Sequence, residues 1–121
     1  MSFQQKVAIV TGAAQGIGFK ICRNLANEGA KIILNDMDAA LAQQSATRIN
    51  EENAESCIAI AGDASDMGVI KKLVGTAVEK YQRLDILIAN AGITLFGDFF
   101  QYSPESFNRV MQVNLSGTFF L

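Results

Sequence analysis

The sequence predicts an α/β fold: a doubly wound parallel sheet with helices on both faces. Three observations predict it. Short apolar runs of strand type alternate with longer amphipathic segments along the whole chain, the order that builds parallel strands joined by crossover helices. A glycine-rich turn, Thr11 to Gly18, stands between the first strand and the first helix. An acidic residue, Asp36, then ends the second strand.

The elements follow in order. Val7 to Val10 is a short apolar strand, and Ile17, Ile21, Cys22, Leu25 and Ala26 recur at helical spacing after the glycine turn. Gly29 is a natural left-handed helix end, and Lys31 to Asn35 is the second strand. Asp38 can cap a helix carrying Leu41, Ser45, Ala46 and Ile49, which runs out in the polar stretch Asn50 to Glu55. Cys57 to Ala61 is a third strand. Ser65 or Asp66 caps the next helix, whose inner face is Val69, Ile70, Leu73, Val74, Ala77 and Tyr81. Ile86 to Ala89 is almost wholly apolar, as a strand buried on both faces should be. Gly92 to Tyr102 is a longer loop with Phe96, Phe99, Phe100 and Tyr102, either a wall near a substrate or a loop packing on its own core. Ser103-Pro104 starts a last helix with Phe107, Val110, Met111 and Leu115 as its core stripe.

Composition bounds the function. The 121 residues are expected to form one domain, 1–121, and 50% hydrophobic content suffices for a core. With 12 acidic and 10 basic residues, the net charge of −2 favours neither nucleic acid nor an anionic membrane as partner. Histidine is absent, which removes His-based triads and most zinc sites, and no metal site is expected. Cys22 and Cys57 fall on apolar faces and read as small buried hydrophobes. No signal-peptide core or membrane-length apolar run occurs, so a cytoplasmic location is expected.

The chemistry concentrates at the strand ends. In the turn, Gly12 lets the chain reverse, and the missing side chains of Gly16 and Gly18 let a diphosphate approach backbone N–H groups at a helix N-terminus. A structural turn is the alternative. Asp36 can accept hydrogen bonds from both hydroxyls of an adenosine ribose and would repel a 2′-phosphate. No arginine or lysine stands at Ala13, Ala14 or Met37 to offset that repulsion, so NAD is favoured over NADP. The alternative is a solvated aspartate in a turn. For Asp63, in Gly62-Asp63-Ala64, the alternative to a site role is a helix-entry cap competing with Asp66. Asn114 is mildly unfavourable within a helix, unless it has a task there.

Thr11-Gly12-Ala13-Ala14-Gln15-Gly16-Ile17-Gly18 resembles the cofactor loop of the short-chain dehydrogenase/reductase family, and the resemblance extends along the chain. Asn90-Ala91-Gly92 matches three residues of that family's Asn-Asn-Ala-Gly motif, with Ala89 where the first Asn is more usual. Val113-Asn114-Leu115-Ser116-Gly117 matches its helix asparagine. The resemblance implies a Rossmann-type sheet in the order 3-2-1-4, cut short after the fourth βα unit. It implies cofactor contacts at Gly12, Gln15, Gly16, Ile17, Gly18, Asp36, Asp63, Ala64, Asn90, Ala91, Gly92 and Val113. Asp63 would receive the adenine amino group, and Asn114 would be a catalytic residue holding a water beside the catalytic lysine. The family's serine and Tyr-x-x-x-Lys are not found in these residues. Tyr81 lies on the third helix, and Tyr102 has Ser106 where lysine is needed.

The implied function is the cofactor-binding half of an NAD-dependent oxidoreductase passing hydride between nicotinamide and a small alcohol or carbonyl compound. By itself this half is expected to be inactive. A non-catalytic dinucleotide-binding module and a remnant serving as an interaction fragment are the alternatives. The family's corresponding last helix helps form a dimer interface, and the fourth strand would leave an open edge here. A homo-oligomer is therefore expected.

Overall fold

A computed structural model describes residues 2–92 and 103–116. The aromatic stretch Phe96 to Tyr102 and the terminal Gly117 to Leu121 lie outside the described residues. The elements are β1 (Val7–Val10), α1 (Gly16–Asn27), β2 (Lys31–Asp36), α2 (Ala39–Glu52), β3 (Cys57–Ala61), α3 (Met67–Tyr81), β4 (Ile86–Ile88) and α4 (Pro104–Met111). A π-helical turn, Gln112–Ser116, continues α4.

The four strands form one parallel sheet in the order β3-β2-β1-β4. Because side chains alternate across a strand, each strand feeds two cores. Ala8, Val10, Ile32 and Leu34 pack with Cys22, Ala26, Ala42, Ala46 and Ile49 of α1 and α2. Val7, Ile9, Ile33 and Ile60 pack on the other face with Leu73 and Ala77 of α3. The sheet is therefore doubly wound. Full burial of a side chain such as Leu73 contributes about 1.5–3 kcal/mol. The alanines under α1 and α2 let both helices approach the sheet closely. Both cysteines are buried, and burial pushes the Cys57 thiol up to about 12, so neither is a reactive thiolate.

Local chemistry sets the boundaries. Asp38 accepts from the N–H of Leu41, and Asp66 from that of Val69, so Asp66 rather than Ser65 caps α3. Ser103 accepts from the N–H of Ser106, with Pro104 in the first turn. At the end of α1, Gly29 takes φ +96°, and the N–H groups of Gly29 and Ala30 close onto the carbonyls of Ala26 and Leu25. Asp85 ties the start of β4 to β1. Its carboxylate accepts a fork from Arg83 and the N–H of Val7 at 2.9 Å, which hold its pKa down to about 2.

Three expectations need correction. The fourth strand ends at Ile88, and Leu87 is 47% exposed, because β4 pairs with β1 alone among the described residues and forms a sheet edge. The stripe on α4 is not a core stripe: Phe107, Met111 and Leu115 are exposed, since no described element packs over them. Ile17 is 75% exposed, because the first turn of α1 overhangs the strand ends instead of the sheet face. Among the described residues, no helix is long and apolar enough to cross a membrane.

Candidate functional site

A cleft of about 270 Å3 opens at the carboxyl ends of the strands. Gly12 and Gln15 line it from the first loop, Asn35, Asp36 and Met37 from the end of β2, Ala64 from the turn after β3, and Asn90, Ala91 and Gly92 from the segment after β4. It lies where the chain's crossovers part: β2 and β4 flank β1 on opposite sides. In a doubly wound sheet that switch point is where a crevice must form.

The three loop glycines have three different reasons. Gly12 has φ +60°, and a Cβ there would sit 2.8 Å from the Cα of Ala91, so the first and fourth loops touch backbone to backbone. On Gly18 a Cβ would lie 2.6 Å from Asn90 Nδ2, 2.8 Å from the Cα of Ala13 and 2.9 Å from the carbonyl oxygen of Gly12. Gly16 has φ +62°, and among the described residues nothing beyond its own neighbours and helix lies within 4 Å of where a Cβ would be. Packing explains the first two. It does not explain Gly16, although its backbone conformation favours glycine.

Polar groups brace the loop from below. The N–H of Ala13 donates to the carbonyl of Asn35 at 2.8 Å, and the Ser45 hydroxyl donates to the carbonyl of Ala14. The Thr11 hydroxyl oxygen accepts from the N–H groups of Asn90 and Ala91, both at 3.1 Å. Asn90 Nδ2 donates to the carbonyl of Gly12 at 2.9 Å. Asn35 is buried, and its amide donates to the carbonyls of Ile60 and Gly62, fixing the end of β3 to β2. Sequence reasoning missed Thr11 and Asn35. The available signal was a polar residue at the C-terminal end of an apolar strand, which must find partners once buried.

Asp36 stands at the rim. One carboxylate oxygen accepts from the N–H of Ala14 at 3.1 Å, the other from the N–H of Asp38 at 3.0 Å. Among the described residues, each oxygen keeps an acceptor position open. Asp63, on the far side of the β2 exit, accepts from the Ser65 N–H and hydroxyl on Oδ1 and from Arg109 on Oδ2 at 2.8 Å. Its partial burial would raise its pKa, but the Ser65 bonds and the Arg109 ion pair hold it below the usual carboxylate range. Arg109 has no counterpart in the sequence reasoning, because its partner lies far away in the chain.

The cleft gathers most of the expected residues. Gly12, Gln15, Asp36, Ala64, Asn90, Ala91 and Gly92 line it, whereas Gly16, Ile17, Gly18 and Asp63 are not among its lining residues. Val113 is buried in the π-helical turn after α4. Asn114, in the same turn, lies against Gly92: a Cβ on that glycine would be 3.3 Å from Asn114 Oδ1. The asparagine of the last helix and the fourth-strand loop are thus brought together. Short π-helical turns of this kind are frequent at functional sites.

The sequence matches the family model for short chain dehydrogenases over residues 6–121. This chain belongs to the short-chain dehydrogenase/reductase family. It is 39% identical to a versicolorin reductase of Emericella nidulans, covering 96% of this chain and 44% of that one. A short-chain dehydrogenase/reductase of Brucella melitensis superposes with a TM-score of 0.92 at 30% identity, covering 98% of this chain and 49% of the other. A 3-ketoacyl-(acyl-carrier-protein) reductase from the same organism, solved with NADH, gives a TM-score of 0.89 at 33% identity, covering 98% and 47%. The chain spans less than half the length of each of these three. Membership and superposition support the Rossmann-like sheet and the oxidoreductase class.

Proposed function

We propose that this chain binds a nicotinamide dinucleotide, NAD(H) in preference to NADP(H), as the cofactor-holding part of an oxidoreductase acting on a small alcohol or carbonyl compound. The observation that carries the proposal is the N-terminus of α1. Side chains cap α2, α3 and α4, but Gln15 makes no such bond to α1, and no acidic residue stands in its first turn. Among the described residues, first-turn N–H groups that Gln15 does not cap and the positive helix end therefore face open space at Gly16. An anion of phosphate size fits that description.

The residues present suit the remaining parts of the cofactor. The open acceptor position on each oxygen of Asp36 suits the two hydroxyls of an adenosine ribose, and the carboxylate charge opposes a 2′-phosphate. Asp63 and Ala64 would hold the adenine, and the buried Val113 would offer it an apolar contact. Asn90, Ala91 and Gly92 leave room for the second ribose. Gly12, Gln15, Gly16, Ile17 and Gly18 frame the diphosphate. When bound, the nicotinamide supplies hydride transfer to or from a carbonyl carbon. Asn114 would be the catalytic amide of this segment, orienting a water beside Gly92, since an amide does not titrate near neutral pH.

The same cleft would equally serve a dinucleotide-binding module without turnover, which is the second reading. The exposed Phe107, Met111 and Leu115 support packing against a second copy, as in a homo-oligomer. A fluorescence titration of the full chain with NADH tests the cofactor proposal. Saturable binding is expected in either reading, and no binding at millimolar NADH would remove both.

A further inference from the structure

Asp36 lines the cleft and Asp63 precedes its lining residue Ala64; of these two carboxylates, Asp63 is the one held by a cation among the described residues. The Arg109 Nη1 group donates to Asp63 Oδ2 at 2.8 Å, and Nη2 lies 3.7 Å from the sulfur of Met37, which lines the cleft beside Asp36. The guanidinium thus spans the exits of β2 and β3. It reaches them from α4, one helical turn before the buried Val113.

The count of lone pairs gives this contact a meaning. An ionised carboxylate offers about four acceptor positions. Ser65 occupies two on Oδ1, through its N–H at 2.9 Å and its hydroxyl at 2.6 Å. Arg109 occupies one on Oδ2. Among the described residues a single acceptor position remains, and the guanidinium, placed by Nη1 on Oδ2 and by Nη2 beside the Met37 sulfur, limits its direction.

We propose that Arg109 is a positioning residue for base recognition, aiming the last acceptor position of Asp63 at the exocyclic amino group of a 6-aminopurine. The proposal rests on the cofactor reading above and deepens it. A base carrying a 6-keto group in place of the amine would set an acceptor against an acceptor and be rejected. Lysine, a point charge on a flexible stem, would keep the ion pair but loosen the aim.

The test compares NADH with reduced nicotinamide hypoxanthine dinucleotide, which differs only at that amine, in binding to the full chain. Wild type should prefer NADH by about tenfold, the worth of one hydrogen bond to a charged group. In Arg109→Met the preference should collapse toward unity, and Arg109→Lys should recover part of it. A general loss of packing would weaken both ligands equally and leave their ratio unchanged. An unchanged ratio in Arg109→Met therefore overturns the role of Arg109 alone. Arg109→Gln gives the same comparison, with the same two deciding results, should the methionine variant not fold. If wild type binds neither dinucleotide, the cofactor reading fails and this proposal fails with it.

Discussion

Gly18→Ala is expected to destabilise the chain by about 2–3 kcal/mol, even though alanine is the better helix former by about 1 kcal/mol. The added methyl would meet the Asn90 amide, the Cα of Ala13 and the carbonyl of Gly12, each under 3 Å. Two of these are backbone atoms of the loop and cannot swing aside. The third is the end of a side chain, but moving it breaks the 2.9 Å bond from Asn90 to Gly12 that ties the first loop to the fourth. The gain in helix propensity is smaller than the overpacking and the lost hydrogen bond together. Urea denaturation checks this. An unchanged or raised midpoint would mean that the two loops are not held against each other as described.

Asp36→Ala is expected to weaken NADH binding by about 100-fold, the equivalent of two hydrogen bonds to a charged acceptor. Binding of NADPH should fall far less, because the repulsion of its 2′-phosphate disappears with the carboxylate. The substitution also frees the N–H groups of Ala14 and Asp38, which are near enough to the rim for water to replace the lost acceptors. Asp36→Asn separates the two effects: its carbonyl can keep one of those bonds while the charge is gone. Parallel titrations of both variants with NADH and NADPH give the ratio. A ratio equal to that of wild type would show that Asp36 serves the loop and not the ribose.

Much of this arrangement was legible because it is local. The strand, the glycine turn and the helix after it are contiguous in sequence, and the cap of α2 at Asp38 lies within a turn of the group it serves. Asp36 could be found because strand ends in a doubly wound sheet converge on the crevice. The pairing of Arg109 with Asp63 could not, since no sequence period links two residues brought together only when α4 folds over the β3 exit. Thr11 and Asn35 were hidden differently. Each looks like a polar lapse at the end of an apolar run until the sheet shows which backbone groups it serves. The stripe on α4 misled because helical periodicity reveals an apolar face without saying what covers it. Phe107, Met111 and Leu115 have the spacing of a core and lack its cover among the described residues.

The central claim is that a dinucleotide diphosphate sits at the uncapped N-terminus of α1, in the space left by Gly16. Asparagine tolerates a positive φ better than other side chains, so Gly16→Asn should fold while placing an amide where the anion would lie. Calorimetric titration of NADH into wild type and Gly16→Asn, side by side, tests the claim most directly. The account predicts saturable binding by wild type and at least about a tenfold loss in the variant, with the thermal transition of the fold retained. Equal affinity in the two proteins would place the diphosphate elsewhere and contradict it.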